Sequence, residues 1–145
     1  MSSTTRLEIS RDLLGQIHAH GEQAYPEEGA GFLLGSTDGE QRQVVDVLAI
    51  PNSREDGARH NRYLITAQDV MVGEDEADRR GLEIVGIFHS HPDHPNRPSE
   101  FDREWALPWL SYIITSVHSG AAVESRSWRL SDDRQRFDEE IIIVV

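Results

Sequence analysis

The sequence predicts an α/β protein, a single domain over residues 1–145 built on a mixed β-sheet flanked by helices. Three observations predict it. Short apolar runs with strand spacing alternate with segments of helical spacing, in the order αββαβαβββ after a brief leading strand, with no internal repeat and no low-complexity linker. A chain of 145 residues suits one domain that buries roughly 70% of the surface exposed when unfolded. Charged residues make up 28% and hydrophobic residues 37%, with three Trp, four Phe and three Tyr, which is enough apolar material for a packed core.

Taken in order, residues 7–10 read as a short strand. Ser10 reads as the N-cap of a helix that carries Leu13, Leu14, Ile17 and Ala24 on one face and ends at Pro26. Residues 30–35 and 43–50 are apolar runs joined through the Asp38-Gly39 turn signal, as in a hairpin. The polar stretch 51–61 reads as a surface loop, followed by a brief strand over 62–65. Residues 67–80 have the spacing of a largely solvated helix with a thin apolar face of Val70, Met71 and Ala77, stopped by Gly81. Residues 83–91 are apolar on both faces, as a central strand covered by helices should be. A helix over 99–107 and strands over 109–118, 122–130 and 141–145 complete the chain.

Fourteen Lys and Arg against 26 Asp and Glu leave a net charge of −12, the wrong sign for neutralising a phosphate backbone, so no nucleic-acid partner is expected. The chain has no Cys, which excludes disulfides, thiolate nucleophiles and Cys-type zinc fingers; any metal must be held by His and carboxylate. The longest apolar run, residues 141–145, is far short of the ~20 residues that span a bilayer. The first residues are not followed by the apolar stretch of a leader. A soluble, cytoplasmic protein with no membrane partner is the expectation.

On an extended strand, side chains two apart share a face, so His89 and His91 stand side by side at the carboxyl end of the most apolar strand while Ser90 points away. Pro92 stops that strand, and the stiff turn through Pro95 and Pro98 delivers Ser99 and Asp102 to a helix start. Ser-x-x-Asp is the spacing of a capping box, which by itself accounts for both residues. The functional alternative has Asp102 facing back over the strand end to complete a His, His, carboxylate set, the three-ligand arrangement of a catalytic zinc. Both readings can hold for Ser99 at once. Such a centre also needs a base, and Glu27 and Glu28 precede the Gly-rich entry into an apolar strand; acidity alone does not choose between them.

A resemblance does choose. Pro26, Glu28, Gly31, Leu33 and Gly35 follow the pattern Pro-x-Glu-x-x-Gly-x-Leu-x-Gly, and His89, His91, Pro92, Ser99 and Asp102 follow His-x-His-Pro, six residues, Ser-x-x-Asp. Together they resemble the JAMM/MPN metalloprotease family, and weaker likeness runs through residues 84–88, 109–116 and 127–130. Ala30 departs from the Cys of many relatives, which touches packing rather than chemistry. The resemblance implies a cytidine-deaminase-like layered fold, with one Zn2+ per chain on His89, His91 and Asp102. It makes Glu28 the general base and Ser99 a donor to the tetrahedral oxyanion. The activity implied is hydrolysis of a peptide or isopeptide bond. The run over 93–102 is similar to small stand-alone bacterial members, which implies cleavage after the C-terminal Gly-Gly of a ubiquitin-like sulphur-carrier protein.

Two alternatives stand beside this one. DNA-repair-associated JAB-domain proteins carry a related pattern, but the −12 charge disfavours them. A non-catalytic MPN scaffold would lose ligands, whereas Glu28, His89, His91, Ser99 and Asp102 are all present. His18, His20, His60 and His118 read as surface or capping residues. His94 and Arg97, inside the turn, are read either as exposed loop residues or as contacts to substrate.

Overall fold

A computed structural model of the chain describes residues 5–50 and 65–145. The loop expected over 51–61, His60 within it, the residues 62–64 of the expected brief strand and the first four residues lie outside the described residues. Strand β1 (Arg6–Ile9) leads into helix α1 (Arg11–Ala24), whose first turn is closed by Ser10: its hydroxyl accepts the Leu13 N–H at 3.1 Å. Strands β2 (Ala30–Asp38) and β3 (Gln41–Ile50) form the expected hairpin, turning on Gly39 at φ 63°. Thr66 and Asp69 make a reciprocal capping box at the start of helix α2 (Ala67–Arg79), with hydrogen bonds of 3.1 and 2.9 Å. Beyond it Gly81, at φ 69°, turns the chain towards strand β4 (Glu83–Pro92). Helix α3 (Glu100–Trp105) and strands β5 (Ser111–His118), β6 (Ala121–Leu130) and β7 (Phe137–Val144) follow.

The mixed sheet closes on itself. Its order is β1-β3-β2-β4-β5-β6-β7, with β1 paired in parallel to both β3 and β7. β4 and β5 are also parallel, and the remaining neighbours are antiparallel. The short leading strand is therefore the closing member, and closure leaves none of these strands with an open edge.

Two apolar clusters place the helices. Leu7, Ile9, Leu33, Val44, Val85, Phe88 and Ile113 gather around Ile17 of α1. Phe32, Leu34, Ile50 and Ile87 gather around Ala77 of α2. On β2 the alternation of Phe32, Leu33 and Leu34 between clusters is the ordinary period of two. On β4, Val85 and Ile87 have the same parity yet join different clusters. The β2–β4 register shifts between Leu33 and Leu34, so Leu33 faces Gly86, Leu34 faces Ile84, and Val85 is passed over. Each fully buried Leu, Ile or Phe contributes about 1.5–3 kcal/mol.

A polar layer crosses the barrel as well. The buried Arg42 guanidinium donates to Ser111 Oγ at 2.7 Å and to the Trp109 carbonyl, and Glu140 accepts from Ser127 Oγ at 2.8 Å. Two elements differ from expectation. The helix expected over 99–107 is shorter, because Ala106 is already extended and Pro108 disfavours helical backbone at Leu107. The last strand begins at Phe137, whose pairing with Leu130 starts a segment with Asp138 and Glu139 that apolar patterning does not reveal. Among the described residues no helix is long and apolar enough to cross a membrane.

Candidate metal centre

The carboxyl end of β4 carries His89 and His91 on one face, their ring centroids 5.0 Å apart and their Nε2 atoms 3.2 Å apart. Ser90 takes the other face, where its hydroxyl accepts the Gly29 N–H at 2.8 Å. That side is close-packed: a side-chain carbon at Gly21 of α1 would lie 3.2 Å from both Ser90 Cβ and Val117 Cγ2. Glycine at this position therefore lets α1 approach β4, and the Ser90 hydroxyl ties the Gly29 segment to the strand.

The turn after His91 is fixed at both ends. Asp93 adopts φ 56°, its N–H donates to the Val117 carbonyl at 2.7 Å, and its carboxylate accepts from Tyr25 Oη at 2.6 Å and the Ser119 N–H at 2.8 Å. Asn96 is buried; its side-chain amide donates to the Glu124 carbonyl at 3.2 Å and carboxylate at 3.1 Å, and its backbone carbonyl accepts from Trp128 Nε1 at 3.0 Å. The turn ends in a reciprocal capping box, Ser99 Oγ accepting the Asp102 N–H at 3.1 Å and Asp102 Oδ2 accepting the Ser99 N–H at 2.8 Å.

The same carboxylate faces back over the strand end. Asp102 Oδ1 lies 3.4 Å from His89 Nε2, and Oδ2 lies 3.3 Å from His91 Nε2. All three residues are buried, and one donor atom from each falls within 4.8 Å of the others, a group that can hold a metal ion. Capping and convergence are thus both satisfied by one side chain. His91 Nδ1 lies 2.8 Å from the Pro95 carbonyl oxygen, which can only accept, so Nδ1 carries the proton of the neutral ring and Nε2 then keeps its lone pair facing the group, whereas in the protonated ring Nε2 donates to Asp102.

Burial holds His89 below the ordinary imidazole range, against the pull of Asp102. Burial acts the same way on His91, but hydrogen bonding and charge from Asp102, the Pro95 carbonyl and the charge of Glu28 outweigh it and raise its pKa. Burial of Asp102 favours the neutral acid; the charge of His89 and hydrogen bonds from both histidines and Ser99 overcome this and hold it well below the usual carboxylate range. Two nitrogen lone-pair donors and one carboxylate match the donor chemistry of Zn2+, so the residues present fit such an ion.

A cleft of about 450 Å³ opens beside the group, lined by Glu28, His91, His94, Arg97, Ser99 and Phe101 among others. Glu28 is only 5% exposed; Glu27 is half-buried and is not among the lining residues. His20, read from the sequence as a surface or capping residue, is half-buried, its ring edge-on to Phe88 at 5.8 Å and packed against Gly29. His18 faces Ser125 Oγ at 2.8 Å, and His118 is exposed near Asp93. Sequence reasoning missed Tyr25, Asp93 and Asn96. The polar residues crowded into the three-proline turn were the available signal, since a stiff turn still needs anchors.

Fold and site together define a JAB1/MPN-type barrel with a buried His, His, carboxylate group at a strand end. The chain belongs to the prokaryotic JAB family: residues 10–131 match the family described as prokaryotic homologs of the JAB domain. It is a small prokaryotic member of the JAMM/MPN proteins. Among relatives, it is 29% identical over 116 residues to a probable TtuB-protein conjugate cleaving protease of Thermus thermophilus, covering 78% of this chain and 74% of that one. It is 25% identical over 137 residues to a desampylase of Haloferax volcanii, covering 92% and 95%. Among solved structures, a Desulfitobacterium hafniense protein superposes with a TM-score of 0.84 at 30% identity, covering 96% of this chain and 92% of that one. A Salinibacter ruber protein gives 0.75 at 42% identity, covering 95% and 91%. A JAB1/MPN domain protein of Archaeoglobus fulgidus shares the fold, with a TM-score of 0.56 at 21% identity, covering 99% of each chain.

Proposed function

We propose that this protein is a zinc-dependent metallopeptidase that hydrolyses a peptide or isopeptide bond after the C-terminal Gly-Gly of a ubiquitin-like sulphur-carrier protein. One observation carries the reading: Glu28, His91 and Ser99 line a single cleft beside the buried group of His89, His91 and Asp102. The relatives named as a conjugate-cleaving protease and a desampylase support the substrate class.

His89, His91 and Asp102 would hold the ion through two Nε2 atoms and one carboxylate. When bound, Zn2+ supplies a Lewis acid for the scissile carbonyl and makes a water more acidic. Glu28, buried at the cleft wall, takes a proton from the attacking water and returns it to the leaving amine. Ser99 Oγ accepts from the Asp102 N–H, which leaves its own O–H free to donate to the developing oxyanion. The Pro95 carbonyl keeps the His91 ring in the tautomer that presents Nε2.

The test is mass spectrometry of carrier fusions extended beyond Gly-Gly, with and without a chelator. Cleavage after the second glycine that stops on chelation and returns with zinc is the expected result. Cleavage indifferent to the chelator overturns the metal assignment. Salt-dependent DNA affinity in place of cleavage would favour the DNA-repair alternative.

A further inference from the structure

Ser90 sits between His89 and His91 yet faces away from them, and it is 3% exposed. The β2–β4 register pairs Ala30 with His89, which sets Gly29 opposite Ser90. In a regular antiparallel ladder, two residues that face each other at a hydrogen-bonded position exchange both backbone hydrogen bonds. Here one is made and the other is replaced. The Ser90 N–H donates to the Gly29 carbonyl at 3.0 Å, whereas the Gly29 N–H donates to the Ser90 hydroxyl oxygen at 2.8 Å. The side chain thus ends the ladder where a backbone carbonyl would have continued it.

The peptide plane held by that hydroxyl is the one joining Glu28 to Gly29. On the other side, Glu27 is held to the end of α1, its N–H donating to the Ala24 carbonyl at 2.9 Å, so Glu28 lies between two anchored neighbours. Gly29 itself admits no side chain: a carbon there would lie 2.9 Å from His20 Cδ2 and 3.0 Å from Ala24 Cβ. Glycine is also the residue with the freest backbone, so the aim of Glu28 needs a restraint on the peptide itself. Resting on the peptidase reading above, we propose that Ser90 is a positioning residue for the general base. By closing on the Gly29 N–H, its hydroxyl fixes the backbone of Glu28 and holds that carboxylate at the wall of the cleft it shares with His91. Without the hydroxyl, the Gly29 N–H is either left buried with no acceptor or swings to the Ser90 carbonyl, and the second course turns the Glu28–Gly29 plane. One residue then serves both halves of the centre: its backbone spaces His89 and His91, and its side chain aims the base.

Two substitutions of equal shape isolate the hydroxyl. Ser90→Thr keeps it and Ser90→Val does not, so crowding from the added methyl is common to both; Ser90→Ala gives the same comparison with the wild type. In the metal-free proteins, hydrogen exchange at the Gly29 amide is expected to be slow in the wild type and Ser90→Thr, and at least about tenfold faster in Ser90→Ala and Ser90→Val. With zinc loaded and a carrier fusion extended beyond Gly-Gly as substrate, kcat should fall about 10- to 100-fold in Ser90→Ala, with KM and zinc content unchanged. Ser90→Thr should turn over at least about tenfold faster than Ser90→Val. Placed in Glu28→Gln protein, Ser90→Ala should cost no more than about threefold, because a base already removed cannot be misaimed. An equal loss in both backgrounds, zinc lost from Ser90→Ala, or a Gly29 amide that exchanges alike in all four proteins overturns the inference and leaves the peptidase reading intact. A wild type that holds zinc and protects the Gly29 amide but cleaves no carrier fusion overturns the peptidase reading, and the positioning role with it.

Discussion

Tyr25 and Asp93 join the two halves of the site: the phenol at the end of α1 donates to the carboxylate in the turn after His91 at 2.6 Å, across 68 residues of sequence. Asp93 also takes the Ser119 N–H, so one side chain ties the segment leading to Glu28, the turn leading to Ser99 and the β5–β6 connection. Those hydrogen bonds hold its carboxyl below the ordinary range, while Tyr25 is raised chiefly by the same contact. Both groups are solvent-facing, so the tie positions the site more than it stabilises the fold.

Tyr25→Phe and Asp93→Ala should each lower kcat by roughly 3- to 30-fold, as modest misplacement of Glu28 against the strand end requires. Thermal denaturation should show little change, and bound metal should be retained. Asp93→Asn, which tolerates positive φ and can still accept, should be the mildest of the three. A loss of metal in Tyr25→Phe would place the tie in the ligand shell instead.

His89→Ala and His91→Ala should each remove the metal, about one equivalent per chain in the wild type. Both variants should stay folded by circular dichroism, because the clusters around Ile17 and Ala77 do not include the ligands. Elemental analysis after gel filtration decides it: stoichiometric zinc in both variants excludes this ligand set.

Glu28→Gln should keep metal and fold and reduce turnover by roughly 100- to 10,000-fold, the range for a lost general base. Glu27→Gln should do little, since Glu27 does not line the cleft. Steady-state rates for the pair check it, and the reverse order would shift the register of the Pro-x-Glu-x-x-Gly match by one residue.

Ser99 separates capping from chemistry. Ser99→Ala removes an N-cap worth about 0.5–2 kcal/mol and also loosens Asp102, whose N–H it accepts. Ser99→Asp restores the cap but cannot donate to an oxyanion and adds negative charge beside the group. A stable, nearly inactive Ser99→Asp protein is expected from melting curves and rates measured on one preparation. Wild-type turnover in that variant would reduce Ser99 to a cap.

The histidines behind the site should set part of the acid sensitivity. Burial lowers the pKa of both His18 and His20 below 6.5. With the folded values depressed, the stability they contribute is complete above pH 6.5 and declines as pH falls through the folded values. Urea midpoints of chelated protein should therefore drop between pH 7 and pH 5, and drop less in a His18→Gln, His20→Gln double variant. Equal slopes for the two proteins would refute this.

The two halves of the candidate site were legible in the sequence because each is set by short-range geometry. A spacing of two puts His89 and His91 on one strand face, and a spacing of three puts Asp102 over Ser99 in a first helical turn. Sequence spacing likewise located all three helices, the third of them too long, and most strands, and failed where charge masked a strand, as at Asp138 and Glu139. Tertiary structure alone decided that β1 and β7 close the sheet, and it alone gave the distances at which Asp102 meets the histidines. It alone brought Tyr25 to Asp93 and Trp128 to Asn96. The physical reason is range: dihedral limits and side-chain period act within a few residues. Contacts between residues dozens of positions apart form only when packing of the whole barrel, here relieved at Gly21 and Val85, fixes which faces meet.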